Sequence, residues 1–131
     1  MRAVLDASAA VNVVMRTDRA ADLIGALEGC DLVLAPTLFH GEVANTLWKY
    51  VRAGVIDKQT ALTRLEEARG LVDSFEADEG LATEAMSQAI LHAHPVYDLL
   101  YLVLAMRYGA RLLSADGKLM KLAARIDPSM V

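Results

Sequence analysis

Residues 96–116 constrain the fold more than any other stretch of this chain. From Val96 to Met106 only Asp98 carries a charge, and Leu99, Leu102, Val103 and Met106 recur at helical spacing. That pattern predicts a helix apolar nearly all round, which has to be buried. Gly109 supplies a left-handed C-terminal position. Arg111 to Ser114 is then too short and too apolar for anything but a buried strand. One acid stands at each end of this unit, Asp98 in the first helical turn and Asp116 just past the carboxyl end of the strand. Each has an ordinary structural explanation, a helix-dipole contact for Asp98 and Asp-Gly turn chemistry for Asp116.

The rest of the chain repeats the strand-then-helix alternation. Ala3-Val4-Leu5 is a short apolar run ended by Asp6, with a helix through Met15 after Ser8. Thr17 or Asp18 is expected to cap a second helix with Ala21, Leu23, Ile24 and Leu27 apolar, ending near Gly29. Leu32 to Ala35 is a second buried strand, and Thr37 after Pro36 starts a long helix to Gly54 marked by Phe39, Val43, Thr46, Leu47 and Tyr50. Asp57 caps the next helix, whose apolar face is Ala61, Leu62, Leu65 and Ala68, and these two helices should pack as a hairpin.

Ser74 to Ala77 reads as a third strand. Leu81 to Ala93 reads as a helix with Ala82, Ala85, Met86, Ala89 and Ile90 inward, ended by Pro95. Lys118 to Ala124 forms a short amphipathic helix, broken at Asp127-Pro128. Alternation of this kind predicts an α/β domain with a mostly parallel sheet covered by helices on both faces.

Composition narrows the function classes. With 131 residues, 55% of them hydrophobic and 5% aromatic, the chain suits one Ala/Leu/Val-cored domain and is incompatible with intrinsic disorder. The run Leu99 to Met106 falls far short of the roughly 20 residues that cross a bilayer. Asp6 interrupts the only segment that resembles a leader, so the expectation is a chain that is not exported and engages no membrane. A single Cys30 forms no internal disulfide and fits a reducing cytoplasm. The net charge of −4 argues against nucleic-acid binding through bulk charge and leaves a local basic rim or bound cations as sources of positive potential.

In an open parallel sheet, ligands bind outside the carboxyl ends of the strands. Asp6 ends the first strand, Glu42 lies in the first turns of the helix after the second, Asp98 opens the helix feeding the last, and Asp116 follows that strand. All four acids are therefore expected at one end of the sheet. Alternatives stand beside this: Asp6 or Ser8 as a helix cap, and Glu42 as an edge residue reaching water. If the four meet, two carboxylates about 4 Å apart repel by roughly 4 kcal/mol at an effective dielectric of 20, so they need raised pKa values or bound cations. Oxygen donors with no nearby Cys and no paired-His motif favour Mg²⁺ or Mn²⁺ over Zn²⁺.

Four motifs carry a family resemblance: Leu5-Asp6-Ala7-Ser8, Phe39-His40-Gly41-Glu42-Val43-Ala44-Asn45, Tyr97-Asp98-Leu99-Leu100-Tyr101-Leu102-Val103-Leu104-Ala105, and Ser114-Ala115-Asp116-Gly117-Lys118-Leu119. In this order, and over nearly the whole chain, they resemble the PIN-domain family and in particular the VapC-type toxins of bacterial toxin–antitoxin pairs. The resemblance implies one PIN domain over residues 1–131, with about four to five strands in an α/β/α arrangement.

It further implies a metal-dependent endoribonuclease with Asp6, Glu42, Asp98 and Asp116 around one or two Mg²⁺ ions, Mn²⁺ serving as a substitute. Ser8 and Ser114 match the hydroxyl residues that support the cluster, Ser114 standing where Thr is frequent. The implied partners are an RNA substrate, a second copy of the chain and a VapB-like antitoxin. The antitoxin would lie on the 37–71 hairpin and insert a basic side chain into the acidic site. The implied location is the cytoplasm.

Within this reading, Asp6 and Asp98 hold the principal ion, Asp116 supports it or a second one, and Glu42 orients or deprotonates the attacking water. Arg16, Arg19, Lys49, Lys118 and Lys121 lie near the proposed edge, with Lys118, Lys121 and Arg16 the candidates for substrate contact. His40 is expected at the surface or a helix end, His94 as a local hydrogen bond to Asp98, and Trp48 and Tyr50 as packing residues of the hairpin. Two other readings compete: a related metal nuclease of RNA maturation or DNA processing, and a non-catalytic receiver-like interaction domain with an acidic pocket. Activity that survives loss of Asp6 would favour the last.

Overall fold

The computed structural model describes residues 1–131. Strands β1 (Arg2–Leu5), β2 (Leu32–Pro36), β3 (Ser74–Glu76) and β4 (Arg111–Leu113) form one all-parallel sheet in the order β3-β2-β1-β4. Seven helices connect and cover them: α1 (Ala7–Val14), α2 (Ala20–Glu28), α3 (Leu38–Arg52), α4 (Lys58–Arg69), α5 (Ala82–His92), α6 (Val96–Tyr108) and α7 (Gly117–Ile126). The fold class expected from the alternation is the one observed, with four strands.

The strand order fixes the layers. From β1 to β3 the chain steps one way across the sheet, then returns past two strands to β4, so right-handed crossovers put α1 to α4 on one face and α5 and α6 on the other. In agreement, α6 packs across β1, β2 and β4, while α1 packs against α2, α3 and α4. The direction of winding reverses between β1 and β4, which makes their carboxyl ends the topological switch point. Register places Leu5 opposite Leu113, so Asp6 and Ser114 emerge side by side there. The Asp6 amide continues the ladder by donating to the Leu113 carbonyl at 3.0 Å.

The core is built mainly from small aliphatic side chains, with Phe39 and Tyr101 its largest fully buried members. Leu99 to Ala105 are all buried, as an apolar helix in a core requires, but Met106 is 42% exposed because the helix emerges from the core at its last turn. Gly109 closes α6 at φ 58° as expected. No single helix is long and apolar enough to cross a membrane.

Four local expectations differ from the structure. Helix α2 is not capped by a Thr17 or Asp18 side chain; its cap position is Arg19, whose amide donates to Thr17 Oγ1 at 3.3 Å across a preceding turn. Thr37 likewise makes no cap within its own helix: its hydroxyl accepts from the Asp78 amide, while Asp78 Oδ1 accepts from the Leu38 amide at 3.0 Å, tying α3 to the turn after β3. Helix α5 buries Ala85 and Ala89 and turns Ala82, Met86 and Ile90 outward, since close packing on α6 selects its small side chains. It ends at His92, with Ala93 in the left-handed region at φ 52°, two residues before Pro95. The α3–α4 hairpin forms, yet Leu62 and Trp48 remain about half exposed on it.

Candidate active site

Asp6 is the most enclosed acid of the chain, 5% exposed at the switch point. Its Oδ1 accepts from the Ala9 amide at 2.9 Å and from the Ser8 hydroxyl at 2.7 Å, and its Oδ2 accepts from the Ser114 hydroxyl. Asp6 therefore caps α1 itself, and Ser8 is freed for the carboxylate. The Ala115 amide donates to Ser8 Oγ and the Asp116 amide to Ser114 Oγ, both at 2.9 Å, so both serines link the end of β1 to the loop after β4. Burial and the nearby Asp98 charge outweigh these three donors, and the carboxyl is pushed up to about 6.

Glu42 approaches from α3 and Asp98 from the first turn of α6. Tyr101, one turn after Asp98, donates its hydroxyl to Glu42 Oε1 at 2.6 Å. Burial and the charges of Asp98 and Asp78 raise the Glu42 pKa, and the Tyr101 bond opposes that rise. Burial in turn raises the Tyr101 pKa well above the usual phenol range, so it stays a donor. His94 Nε2–H donates to Asp98 Oδ2 at 2.9 Å, the local bond expected for it. Asp116 uses Oδ1 to cap α7 through the Lys118 amide, which leaves Oδ2 available.

Asp6, Glu42, Asp98, Asp116 and Ser8 all line one recess of about 380 Å³, and Ser114 sits buried beneath Asp6. As placed, no three of the acids draw close enough to form a metal-holding group. Glu42 and Asp98 are each tethered separately, to Tyr101 and to His94. The donor set is nonetheless one for a hard divalent cation: carboxylates, hydroxyls and the Asn12 and Asn45 amides, with no thiolate. A buried carboxylate with a raised pKa is also the group that a cation would most relieve.

The basic candidates separate. Lys49 lines the recess, whereas Lys118 and Lys121 line a neighbouring cleft, and Arg16 lies in a groove with α2 and Glu67 rather than in the recess. Arg19 reaches the loop after β4, donating to the Ala115 carbonyl at 2.8 Å. His40 stacks on Phe75 with ring centroids 4.2 Å apart, a packing role. Tyr50, expected only to pack, also lines the recess, while Trp48 is half exposed with Arg52 5.0 Å over its ring.

Sequence reasoning missed Tyr101, Asn12 and Asn45. Spacing carried the signal: Tyr101 is three residues after Asp98, Asn45 three after Glu42, and Asn12 four after Ser8, each on the same helical face.

Comparison with known proteins agrees with this geometry. The PIN domain family model matches residues 3–125. Ribonuclease VapC3 of Pyrobaculum aerophilum is 30% identical over 131 residues, spanning 98% of this chain and 100% of that protein. Among solved structures, PAE2754 from Pyrobaculum aerophilum superposes with a TM-score of 0.72 at 22% identity, covering 98% of this chain and 90% of that one. VapC20 of Mycobacterium tuberculosis, a Sarcin-Ricin loop cleaving toxin, superposes with a TM-score of 0.71 at 15% identity over 92% of this chain and 94% of its own. At those identities the two structures speak for the fold alone. The family match and the full-length relative together establish that the chain belongs to the PIN-domain family, among its VapC-type members.

Proposed function

We propose that this protein is a divalent-metal-dependent endoribonuclease, the toxin of a VapBC-like toxin–antitoxin pair acting in the cytoplasm. One observation carries the reading: four carboxylates from four separate segments face one recess at the switch point of a PIN fold. A structural role explains each acid singly, but it does not explain placing four like charges around one space.

Asp6 and Asp98 would hold the principal Mg²⁺ or Mn²⁺ ion, with Asp116 supporting it or a second one. The ion would supply Lewis acidity at the scissile phosphodiester and a lowered pKa for water. Ser8, Ser114 and the α1 N-terminus fix the Asp6 carboxylate, and His94 fixes Asp98. Tyr101 occupies Oε1 of Glu42 and leaves Oε2 to take a proton from the attacking water, a role its raised pKa suits. Hydrolysis adds the water oxygen to phosphorus and breaks one bridging P–O bond, one water proton going to Glu42 and the departing oxygen taking up a proton from solvent. The serines are consumed as donors to Asp6, which supports water rather than a protein hydroxyl as the nucleophile.

The antitoxin has a suitable seat in the groove between α3 and α4, lined almost wholly by apolar groups including Leu47, Trp48, Val51 and Leu62. Exposed Met86, Ile90 and Leu91 on α5, with Val96 and Tyr97 beside them, support a homodimer.

The test is cleavage of a panel of transfer, ribosomal and messenger RNAs with Mg²⁺ or Mn²⁺, beside EDTA and an Asp6→Asn control. Cuts requiring both metal and Asp6 are expected. Metal-independent cuts, or cuts retained by Asp6→Asn, would overturn the reading.

A further inference from the structure

Helix α7 is sharply two-sided. Leu119, Leu122 and Ala123 are buried, while Lys118, Lys121 and Arg125 are exposed along one stripe at spacings of three and four residues. That stripe faces His92, Ala93 and His94 at the turn between α5 and α6 across a cleft of about 580 Å³. No carboxylate lines the cleft. The chain has 17 acids against 13 Lys and Arg, so an acid-free basic cleft is not what scattered surface charge would give.

These cations are also unspent. Arg64, Arg69 and Arg107 engage glutamates, whereas Lys118, Lys121 and Arg125 take part in no ion pair. The cleft adjoins the acidic recess: Lys118 is two residues past Asp116, and His94 is bonded to Asp98. From Lys118 to Arg125 the stripe runs about 10 Å along the helix axis. A single inorganic anion would occupy only one end of it, and a polymer with a repeating negative charge would occupy all of it.

We propose that the cleft between α7 and the α5–α6 turn carries the phosphodiester backbone of the RNA strand whose scissile bond lies in the acidic recess. Lys121 and Arg125 each neutralise one phosphate away from the cut, and His92 donates a ring N–H to the same strand. This inference rests on the ribonuclease reading and supplies what that site lacks, since an acidic recess alone repels its polyanionic substrate. Ala93 in the left-handed region makes the tight turn that puts His92 and His94 on the cleft.

The test is fluorescence anisotropy of a labelled single-stranded oligoribonucleotide of about 12 nucleotides, a length within the range of single-strand binding sites. It is read in EDTA between about 50 and 200 mM salt. Wild type is compared with Lys121→Gln/Arg125→Gln and with Arg69→Glu, which changes the net charge by the same two units on α4. Loss of two phosphate contacts should weaken binding about tenfold and reduce the salt slope by about 1.4. Each single substitution should give about half that slope change, and Arg69→Glu should change neither quantity. An unchanged double variant, an equal loss in Arg69→Glu, or no binding by wild type would overturn the cleft. Cleavage by wild type with Mn²⁺ of the panel of transfer, ribosomal and messenger RNAs, run beside the binding assay, separates the two claims. Binding through the cleft without metal-dependent cleavage contradicts the ribonuclease alone; cleavage with unchanged binding in the double variant contradicts the cleft alone.

Discussion

Asp6 and Glu42 face the same recess but are held in different ways. Asp6 is locked between two strands by an amide and two serines, at a point the sheet topology fixes. Glu42 is only half buried on a helix and has one side-chain tether, Tyr101. An ion-holding group gains from rigidity, because the cost of gathering charge is met during folding. A proton-accepting group needs a free oxygen and a tunable pKa, and a single donor gives it both. The same contrast predicts that Asp6 governs metal binding and stability, whereas Glu42 and Tyr101 govern rate.

The largest effect that could break this contrast is loss of activity in Asp6→Asn and Asp98→Asn. Both substitutions keep the side-chain shape, and each should lower RNA cleavage by about a thousandfold or more while the circular dichroism spectrum stays native. A residual rate near wild type in either would remove that acid from the ion-holding role.

Stability provides a second, independent readout. The Asp6 carboxyl is pushed up from 3.8 to about 6, so the native state binds the extra proton between those values and ionisation works against folding. The penalty is absent below about pH 4 and complete above about pH 6, on the order of 3 kcal/mol at 1.36 kcal/mol per unit. Denaturant titrations in EDTA should show wild type losing stability relative to Asp6→Asn from pH 4 to pH 7, and titrations with Mn²⁺ in place of EDTA should restore it. A constant difference across that range would show that Asp6 does not ionise against its surroundings.

Tyr101→Phe sharpens the Glu42 side of the comparison. It should lower kcat by on the order of tenfold and leave KM unchanged. Removing a donor to the charged form raises the Glu42 pKa further, so the acidic limb of the pH–rate profile should move to higher pH. An unshifted limb would mean that Tyr101 only packs. The smallest effect concerns Ala93: Gly in its place relieves the left-handed strain at φ 52° and should stabilise the fold by about 0.5 kcal/mol, net of the added backbone entropy, in thermal unfolding.

The sequence made the frame of the site legible and left its fittings obscure, for physical reasons. Asp6 and Asp116 punctuate buried strands and Asp98 opens an apolar helix, so strand-end logic alone gathers them. Tyr101 was hidden because α6 is apolar all round, and a periodic pattern cannot say which aromatic hydroxyl finds a partner on another helix. The outward turn of Met86 and Ile90 was hidden for a related reason: periodicity identifies a stripe of α5, but the close approach of α6 decided for the small Ala85 and Ala89. Arg16 lies away from the recess because it turns the chain at φ 54° after α1 and so falls in the groove beside α2, whereas Tyr50 reaches the recess because α3 runs along it, one face carrying Glu42, Asn45, Lys49 and Tyr50.

The proposed mechanism stands or falls on a divalent cation held in the recess through Asp6. Calorimetric titration of Mn²⁺ into wild type and Asp6→Asn tests it without reference to any RNA. Saturable binding by wild type is expected, with a loss of affinity in Asp6→Asn of at least about tenfold, no smaller than loss of an outer-shell partner brings. Equal affinity in the two proteins would contradict it.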